Sequence, residues 1–201
     1  MNKPRLIQVV KRTGIAETRK DAMALIKSGR VKVNGKPVYD IYYQARPNEI
    51  TIDGKPVKLV EKKVYFLLNK PKGYSCQKTE IPNVLSLFKL EPQMQNMLFT
   101  IGRLDVDTTG LIIVTNDGSI MHAILKPEQN IWKTYIAAVD KTIYSDGLDK
   151  IKKGIKIEVD NRQYTCLPAQ IEKKGQFEYE IKIKEGMFKE VTKRDLEKIF
   201  Q

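Results

Sequence analysis

Residues 101–118 read IGRLDVDTTGLIIVTNDG. Arg103, Asp105 and Asp107 stand between two glycines, directly before an apolar run rich in β-branched residues that predicts a strand over 111–114. The Asn-Asp-Gly that follows the run predicts a closing turn. Because polar side chains crowded ahead of a buried strand seldom serve packing, we expect a reactive carboxylate in this segment.

The composition favours a nucleic-acid partner. The 201 residues are 41% hydrophobic and 30% charged, which is ordinary for a globular protein of one large or two small domains. The net charge of +12 favours a polyanion, and no apolar run approaches the ~20 residues that span a bilayer. No apolar signal-peptide core follows the first basic residues, so we expect a cytoplasmic protein with no membrane partner.

Cysteine and histidine are scarce. Cys76 and Cys166 lie far apart, without Cys or His neighbours at ligand spacing, so neither a disulfide framework nor a zinc site is expected. His122 is the single histidine, which excludes a two-histidine metal site. We expect His122 to be a helix-surface or packing residue and the protein to use no metal.

The first third of the chain is strongly basic. Residues 1–60 hold thirteen of the 36 Lys and Arg but only five of the 24 Asp and Glu. Apolar residues at helical spacing predict two short helices before a strand. Thr18 is predicted to cap the second helix, Gly29 to end it, and Asn34-Gly35 to form a hairpin turn. The apolar positions are Ile7, Val10, Ile15, Ala22, Leu25 and Ile26.

This order of helix, helix and strand, with SGRVKVNGKP at 28–37, resembles the S4 RNA-binding domain over about residues 4–58. We assign residues 1–60 to such a domain. In that family the second helix and the following loop contact structured RNA. Residues 17–20 carry less positive charge than the commoner family form, which lowers the expected RNA affinity; the alternative is a pair of merely solvated basic helices. The resemblance implies RNA binding by Arg19, Lys20, Lys27, Arg30 and Lys32.

The rest of the chain carries three motifs in order. A charged connector predicts a domain boundary near residue 62, and a new apolar strand begins at Val64 and stops at Pro71. The motifs are NKPKG at 69–73, GRLD at 102–105 and NIWKTYI at 130–136. They resemble the small-subunit (RsuA/RluB-like) branch of the RNA pseudouridine synthases. The resemblance implies an α+β protein in which a mixed, mostly antiparallel synthase domain over 64–201 follows the S4-like domain, with Lys70 and Lys72 also binding RNA.

The same resemblance implies the chemistry. Converting uridine to pseudouridine breaks the N1–C1′ bond and joins C5 to C1′, which needs a nucleophile or base but no cofactor. Asp105 would fill that role, through an adduct with the ribose or the base or by assisting deprotonation of the sugar. Because the target base must leave its stack, Tyr135 would pack against it and Arg103 would help to extrude it. The expected partner is RNA, ribosomal RNA above all, and we expect a monomer.

The C-terminal motif departs from this branch, whose members carry Glu-Gly, then His or Arg, Gln, and a basic residue that pairs with the catalytic aspartate. Glu185-Gly186 fit, but Lys189-Glu190 replace the middle pair and Thr192 stands where the cation belongs. Lys189 or Lys193 could supply the charge. Residues 186–199 also resemble the extreme C-terminal tail of the family, an alignment in which the segment with this motif is missing.

Two other functions stay open. The departure at the C-terminal motif allows an RNA-binding protein that keeps the synthase fold without turnover. Residues 105–109 also resemble the Asp-x-Asp-x-Thr loop of magnesium phosphatases, although that loop needs its first Asp to end a hydrophobic strand, whereas Gly102 and Arg103 precede Asp105. Ordinary structural roles compete as well: Asp105 in a turn or cap, Arg103 paired with a neighbouring carboxylate, and Tyr135 in a core.

Overall fold

The structure, a computed structural model, describes residues 3–159, 162–184 and 188–190. The chain divides after Gly118 into two compact units. The predicted α+β class is confirmed, since the described residues form five α-helices and strands whose pairings in sheets are all antiparallel. Within these described ranges, no helix combines the length and apolar character that crossing a membrane requires.

Two short helices open the first unit, α1 (Leu6–Arg12) and α2 (Arg19–Lys27). Thr18 caps α2 as predicted, because its hydroxyl accepts a hydrogen bond from the Asp21 N–H at 3.1 Å. In return the Asp21 carboxylate accepts hydrogen bonds from the Thr18 hydroxyl and N–H, which hold the pKa of Asp21 below its ordinary value. Gly29, at φ +73°, follows the end of the helix.

A small antiparallel sheet follows, in the order β2-β1-β3-β4. Asn34-Gly35 and Asp53-Gly54 form its two hairpin turns with positive φ at both residues, as type I′ turns require. Ile15, which the apolar spacing assigned to a helix, instead lies in the loop between the helices and is 44% exposed. The strands are β1 (Val31–Val33), β2 (Lys36–Pro37), β3 (Ile50–Ile52) and β4 (Lys55–Pro56), and the core comprises Leu6, Ile7, Val9, Val10, Ala16, Ala22, Ile26, Val31, Val33, Ala45, Ile50 and Ile52.

A second sheet of the first unit has the order β5-β7-β6, with β5 (Tyr65–Lys70), β6 (Phe99–Ile101) and β7 (Gly110–Thr115). Both predicted strands are confirmed, and β5 stops before Pro71 because proline has no N–H to donate. A separate core built on Val84, Leu85, Leu98 and Val114 lies against this sheet. Between β5 and β6 the chain forms a 3₁₀ turn (Val84–Leu87) and helix α3 (Pro92–Met97).

The turn predicted at 116–118 is wrong, because Gly118 begins helix α4 (Gly118–Leu125). The side chains of Asn116 and Asp117 instead connect the start of β5 to the end of β7 through hydrogen bonds. The Asn116 Oδ1 accepts from the Val64 N–H at 3.0 Å, and the Asp117 carboxylate accepts from the Tyr65 hydroxyl at 2.8 Å. Hydrogen bonds to Asp117 raise the pKa of Tyr65 and of Lys63. His122 is exposed on α4, as predicted.

The loop between α1 and α2 packs directly on α3. The Asn96 side chain donates from Nδ2 to the Gly14 carbonyl at 3.0 Å, and Lys78 Nζ donates to the Asn96 carbonyl at 2.6 Å. A Cβ atom on Gly14 would lie 2.1 Å from the Gln93 carbonyl oxygen. Only glycine therefore allows this approach, and the two cores of the first unit are held together at this point.

Replacing Gly14 with alanine is expected to destabilise the protein more than replacing Gly54. Both glycines have similar positive φ values, +70° and +76°, so each alanine carries the same left-handed strain of about 1–2 kcal/mol. A Cβ on Gly54 would meet nothing within 4 Å, whereas one on Gly14 would collide with backbone. Urea unfolding should show a further loss of about 1–3 kcal/mol for Gly14→Ala. Equal losses of unfolding free energy in Gly14→Ala and Gly54→Ala would contradict the close packing of Gly14 on α3.

The described residues of the second unit form two three-stranded sheets, α4 from Ser119 onward, and helix α5 (Ser145–Lys153). Strand β12 lies between β11 and β8 in one sheet, and β10 lies between β13 and β9 in the other. Tyr179 on β12 is fully buried, and its hydroxyl accepts from the Ile143 N–H at 2.9 Å. The elements are a 3₁₀ turn (Pro127–Gln129), β8 (Trp132–Ala138), α5 (Ser145–Lys153), β9 (Lys156–Val159), β10 (Arg162–Cys166), β11 (Gln170–Lys173), β12 (Glu178–Lys184) and β13 (Phe188–Glu190).

Candidate active site

The predicted catalytic segment joins β6 to β7. These strands are antiparallel neighbours, so residues 102–109 form a loop at one end of the sheet. Gly102 and Gly110 both have positive φ, and the Thr108 N–H donates to the Asp105 carbonyl at 3.0 Å, which closes a turn within the loop. Arg103 and Asp105 are exposed. The sequence therefore presents both side chains to solvent on a tightly turned loop.

The segment that follows β5 packs against this loop. The Gly73 N–H donates to the Val106 carbonyl at 2.8 Å, and the Leu104 N–H donates to Cys76 Sγ at 3.4 Å. Lys72 forms an exposed ion pair with Asp107, 3.6 Å from Nζ to Oδ1. The first two predicted motifs, far apart in sequence, are thus side by side in the first unit.

Lys70 connects the two segments through hydrogen bonds of its buried side chain. Its side chain is fully buried, and Nζ donates to the carbonyls of Thr108 at 2.8 Å, Val106 at 3.1 Å and Pro71 at 3.1 Å. These three bonds use all the N–H donors of a lysine ammonium. Lys70 is therefore not available to bind RNA, and we correct the prediction that it does so. It positions the backbone of the loop that carries Asp105.

The sequence contains a signal for this role that the motif resemblance obscured. Residues two apart on a strand share a face, and Phe66, Leu68 and Lys70 follow one another on β5 at that spacing. Phe66 and Leu68 pack against the second core. The alternation therefore predicts that Lys70 also points inward, where a lysine needs several hydrogen-bond acceptors.

Arg103 and Asp105 have no charged partners within the first unit. Among residues 3–118, neither side chain forms an ion pair within 4.0 Å, whereas the neighbouring Asp107 does. Pairing of Arg103 with a nearby carboxylate is thus not observed in this part of the chain. In the turn of this loop, the backbone carbonyl of Asp105 accepts the hydrogen bond from the Thr108 N–H, so the catalytic role of the Asp105 carboxylate stays a prediction.

Tyr135 lies on β8 in the second unit. It is half-buried and stands opposite Ile181 of β12, and the neighbouring pair on the same face is Ala137 and Tyr179. Tyr135 thus belongs to a partly packed sheet face. Arg103 and Asp105 belong to the other unit, so the joint action of these three residues stays a prediction.

The atypical C-terminal motif falls largely outside the described residues. This applies to Glu185, Gly186, Thr192, Lys193 and Arg194. Lys189 lies on β13, where its backbone pairs with Thr165, and its side chain is not described. The cation that would pair with Asp105 therefore stays a prediction.

The basic residues predicted on the first domain are exposed at the surface. Lys20 and Lys27 are seven residues apart on α2 and so share a face, while Arg19 begins the helix and Lys32 lies on β1. Arg30 differs, because its guanidinium forms two hydrogen bonds with the Asp53 carboxylate at 2.7 and 2.6 Å. This pairing raises the pKa of Arg30 and lowers that of Asp53.

The geometry does not match a phosphatase loop. Strand β6 ends at Ile101, and Gly102 at positive φ turns the chain before Asp105. Asp105 therefore does not directly follow a hydrophobic strand. Across the described ranges, no three His, Cys, Asp or Glu side chains cluster as metal ligands would.

Comparison with known families assigns two regions of the sequence to known domain families. A family model described as RNA pseudouridylate synthase matches residues 64–198, and an S4 domain model matches residues 4–50. The chain belongs to the RNA pseudouridylate synthase family and carries an S4 domain at its N-terminal end, so the predicted family is confirmed. The phosphatase alternative has no support from either match.

Several named proteins are similar to this chain. Ribosomal large subunit pseudouridine synthase B of Bacillus subtilis is 39% identical over 77% of this chain and 63% of its own length. Ribosomal small subunit pseudouridine synthase A of Escherichia coli is 30% identical over 84% of this chain and 72% of its own. The match to an RNA pseudouridine synthase of Aquifex aeolicus spans 64% of that relative. A crystal structure of a pseudouridylate synthase aligns with a TM-score of 0.60 at 28% identity, over 98% of this chain and 82% of that one.

Proposed function

We propose that this protein converts a uridine of ribosomal RNA to pseudouridine, with Asp105 as the catalytic carboxylate. The observation that carries the proposal is the 102–109 loop, on which Asp105 is exposed and without an ion pair among residues 3–118, while Lys70 fixes the backbone beneath it. Family membership supplies the reaction class, and the names of the similar proteins supply the ribosomal substrate.

The reaction balances without a redox partner. The N1–C1′ bond breaks, the uracil turns, and C5 bonds to C1′; the C5 proton leaves to solvent and N1 gains one. A carboxylate serves this sequence as a nucleophile towards ribose or base, or as a base that removes a sugar proton. Asp105 can fill either role, so no metal or cofactor is required.

Base extrusion needs two further groups. Arg103 is exposed two residues before Asp105, where its guanidinium can enter the space of a flipped base. The aromatic ring of Tyr135 can pack on the uracil. Lys72 stands beside the same loop and can contact the RNA backbone. We expect the protein to act as a monomer in the cytoplasm.

The direct test uses ribosomal RNA from cells that lack the gene, labelled with tritium at C5 of uridine. The purified protein should release tritium from this RNA. Sequencing of pseudouridines in RNA from cells with and without the gene then identifies the site. Binding without release by the wild-type protein would favour the alternative, an RNA-binding protein that retains the synthase fold.

The exposed lysines of the S4 domain are expected to contact phosphates. Each neutralised phosphate contributes roughly 0.7 to 0.9 to the slope of log affinity against log salt. Replacing Lys20, Lys27 and Lys32 with glutamine should therefore reduce that slope by about two to three in titrations of a ribosomal RNA transcript. Removing three other exposed lysines of this region gives the charge-matched control: Lys36, Lys55 and Lys58. Equal slopes for the two triple variants would show that net charge alone governs binding.

A further inference from the structure

A cleft of about 410 Å³ lies within the first unit, between the S4 domain and the sheet that carries the Asp105 loop. We call it the junction cleft. Its S4 wall includes Lys11, Arg12 and Arg19, and its opposite wall includes Lys78 and Phe99. Its volume is in the range of small-ligand sites in proteins. The motif resemblances assign no role to Arg12 or Lys78.

A hydrogen bond between the two walls makes the cleft preformed, because the Asn96 side chain donates to the Gly14 carbonyl. Within the wall opposite the S4 domain, Lys78 Nζ donates to the Asn96 carbonyl. On the linker, the Val60 N–H donates to the Arg12 carbonyl at 2.9 Å. The close approach of Gly14 to Gln93 fixes the same junction. A preformed site binds without the entropic penalty of ordering its walls.

The charge in the cleft is mostly positive and only partly compensated. Four cations line it, against the single carboxylate of Glu17. Lys11 uses two donors on the carbonyls of Ala16 and Glu17, which leaves it one. Partial burial lowers the pKa of both Lys11 and Lys78, although Glu17 and Asp21 act in the opposite direction. Within residues 3–118, Arg12 and Arg19 form no side-chain ion pair within 4.0 Å.

We propose that the junction cleft binds a backbone phosphate of the RNA substrate, held by Arg12 and Lys78 from opposite walls. Arginine and lysine are the side chains that proteins use most often against phosphate. Lys78 has two N–H donors left after its bond to Asn96. Glu17 also lines the cleft and acts on Lys78, so the proposal depends on the excess of four cations over this one carboxylate.

The cleft is connected to the candidate active site through strand β6. Phe99 lines the cleft and begins β6, and Asp105 follows six residues later. Six residues span at most roughly 20 Å, even when fully extended. A phosphate a few nucleotides away from a uridine at Asp105 can therefore reach the cleft. This inference rests on the proposed function, since it assigns a contact to the same RNA.

The test measures binding of an in vitro transcript of small-subunit ribosomal RNA at a series of salt concentrations. Arg12→Gln and Lys78→Met should each reduce the slope of log affinity against log salt by roughly 0.7 to 0.9. Lys89→Gln should leave the slope unchanged, because Lys89 is exposed on the same half of the unit but outside the cleft. In the tritium-release assay, both cleft variants should raise KM and preserve kcat.

The two variants carry different risks to folding. Lys78 bonds to the Asn96 carbonyl, so its replacement can loosen the junction, whereas no described residue accepts a hydrogen bond from the Arg12 side chain. A wild-type slope for Arg12→Gln would overturn the inference while the proposed function stands, if wild-type protein still releases tritium. A wild-type protein that binds no ribosomal RNA would overturn both.

Discussion

Replacing Asp105 with asparagine is expected to reduce tritium release from C5-labelled RNA by at least about 10⁴-fold, the scale on which enzymes lose rate when a central catalytic side chain is removed. The amide is nearly isosteric with the carboxylate but is a poor nucleophile and a poor base. Because the Asp105 carboxylate makes no ion pair among residues 3–118, the substitution should leave the loop and its hydrogen bonds intact. RNA affinity should stay within a few fold.

Asp107→Asn provides the matched control. Asp107 lies on the same loop, is also exposed, and pairs only weakly with Lys72 at 3.6 Å. Exposed ion pairs contribute about 0–1 kcal/mol, so this variant should keep turnover within a few fold of wild type. Full tritium release by Asp105→Asn would refute the role of Asp105. A comparable loss in both variants would instead indicate damage to the loop.

Local chemistry in the sequence predicted much of the fold. Thr18 caps a helix and Asn34-Gly35 forms a turn because short-range hydrogen bonds and backbone preferences determine these features. The strand over 111–114 is predicted by its β-branched residues and lies within β7. The predicted turn at 116–118 failed because Asn116 and Asp117 bond to the start of β5, about fifty residues away in sequence. Such partners are not visible in a local pattern.

In the candidate site, too, local sequence predicted some features, and others depend on residues distant in sequence. The motifs at 69–73 and 102–105 occur in the order of one family, and the structure places residues 69–73 against the 102–109 loop through the hydrogen bond from the Gly73 N–H to the Val106 carbonyl. Their resemblance to a family did not distinguish a lysine that contacts RNA from one that supports the loop. Lys70 and Lys72 are two residues apart, yet one is fully buried and the other 70% exposed at its side chain. Strand alternation places Lys70 inward with Phe66 and Leu68, whereas Lys72 lies beyond the end of β5 at Lys70. The junction cleft depends on tertiary packing alone.

Replacing Lys70 with methionine is expected to lower both stability and turnover. Methionine fills similar space but donates no hydrogen bond, so the carbonyls of Pro71 and Thr108 lose their partner inside the protein, while that of Val106 keeps the Gly73 N–H. The loss of hydrogen bonds to these two part-buried carbonyls implies a decrease of about 1–3 kcal/mol in the free energy of unfolding. The loop that carries Asp105 would relax away from its position.

Turnover distinguishes a positioning role from simple stabilisation. A displacement of about 1 Å at a reacting group can lower kcat by about 10²-fold, so folded Lys70→Met should lose at least that much in kcat with KM nearly unchanged. Lys72→Met is the matched control, expected within about 0.5 kcal/mol of wild type because its side chain is exposed. Assays are run well below the melting temperature of each variant. If kcat per folded molecule stays at the wild-type value, Lys70 stabilises the fold but does not position Asp105, and the rigidity of the loop comes instead from Gly73, Cys76 and its own internal turn.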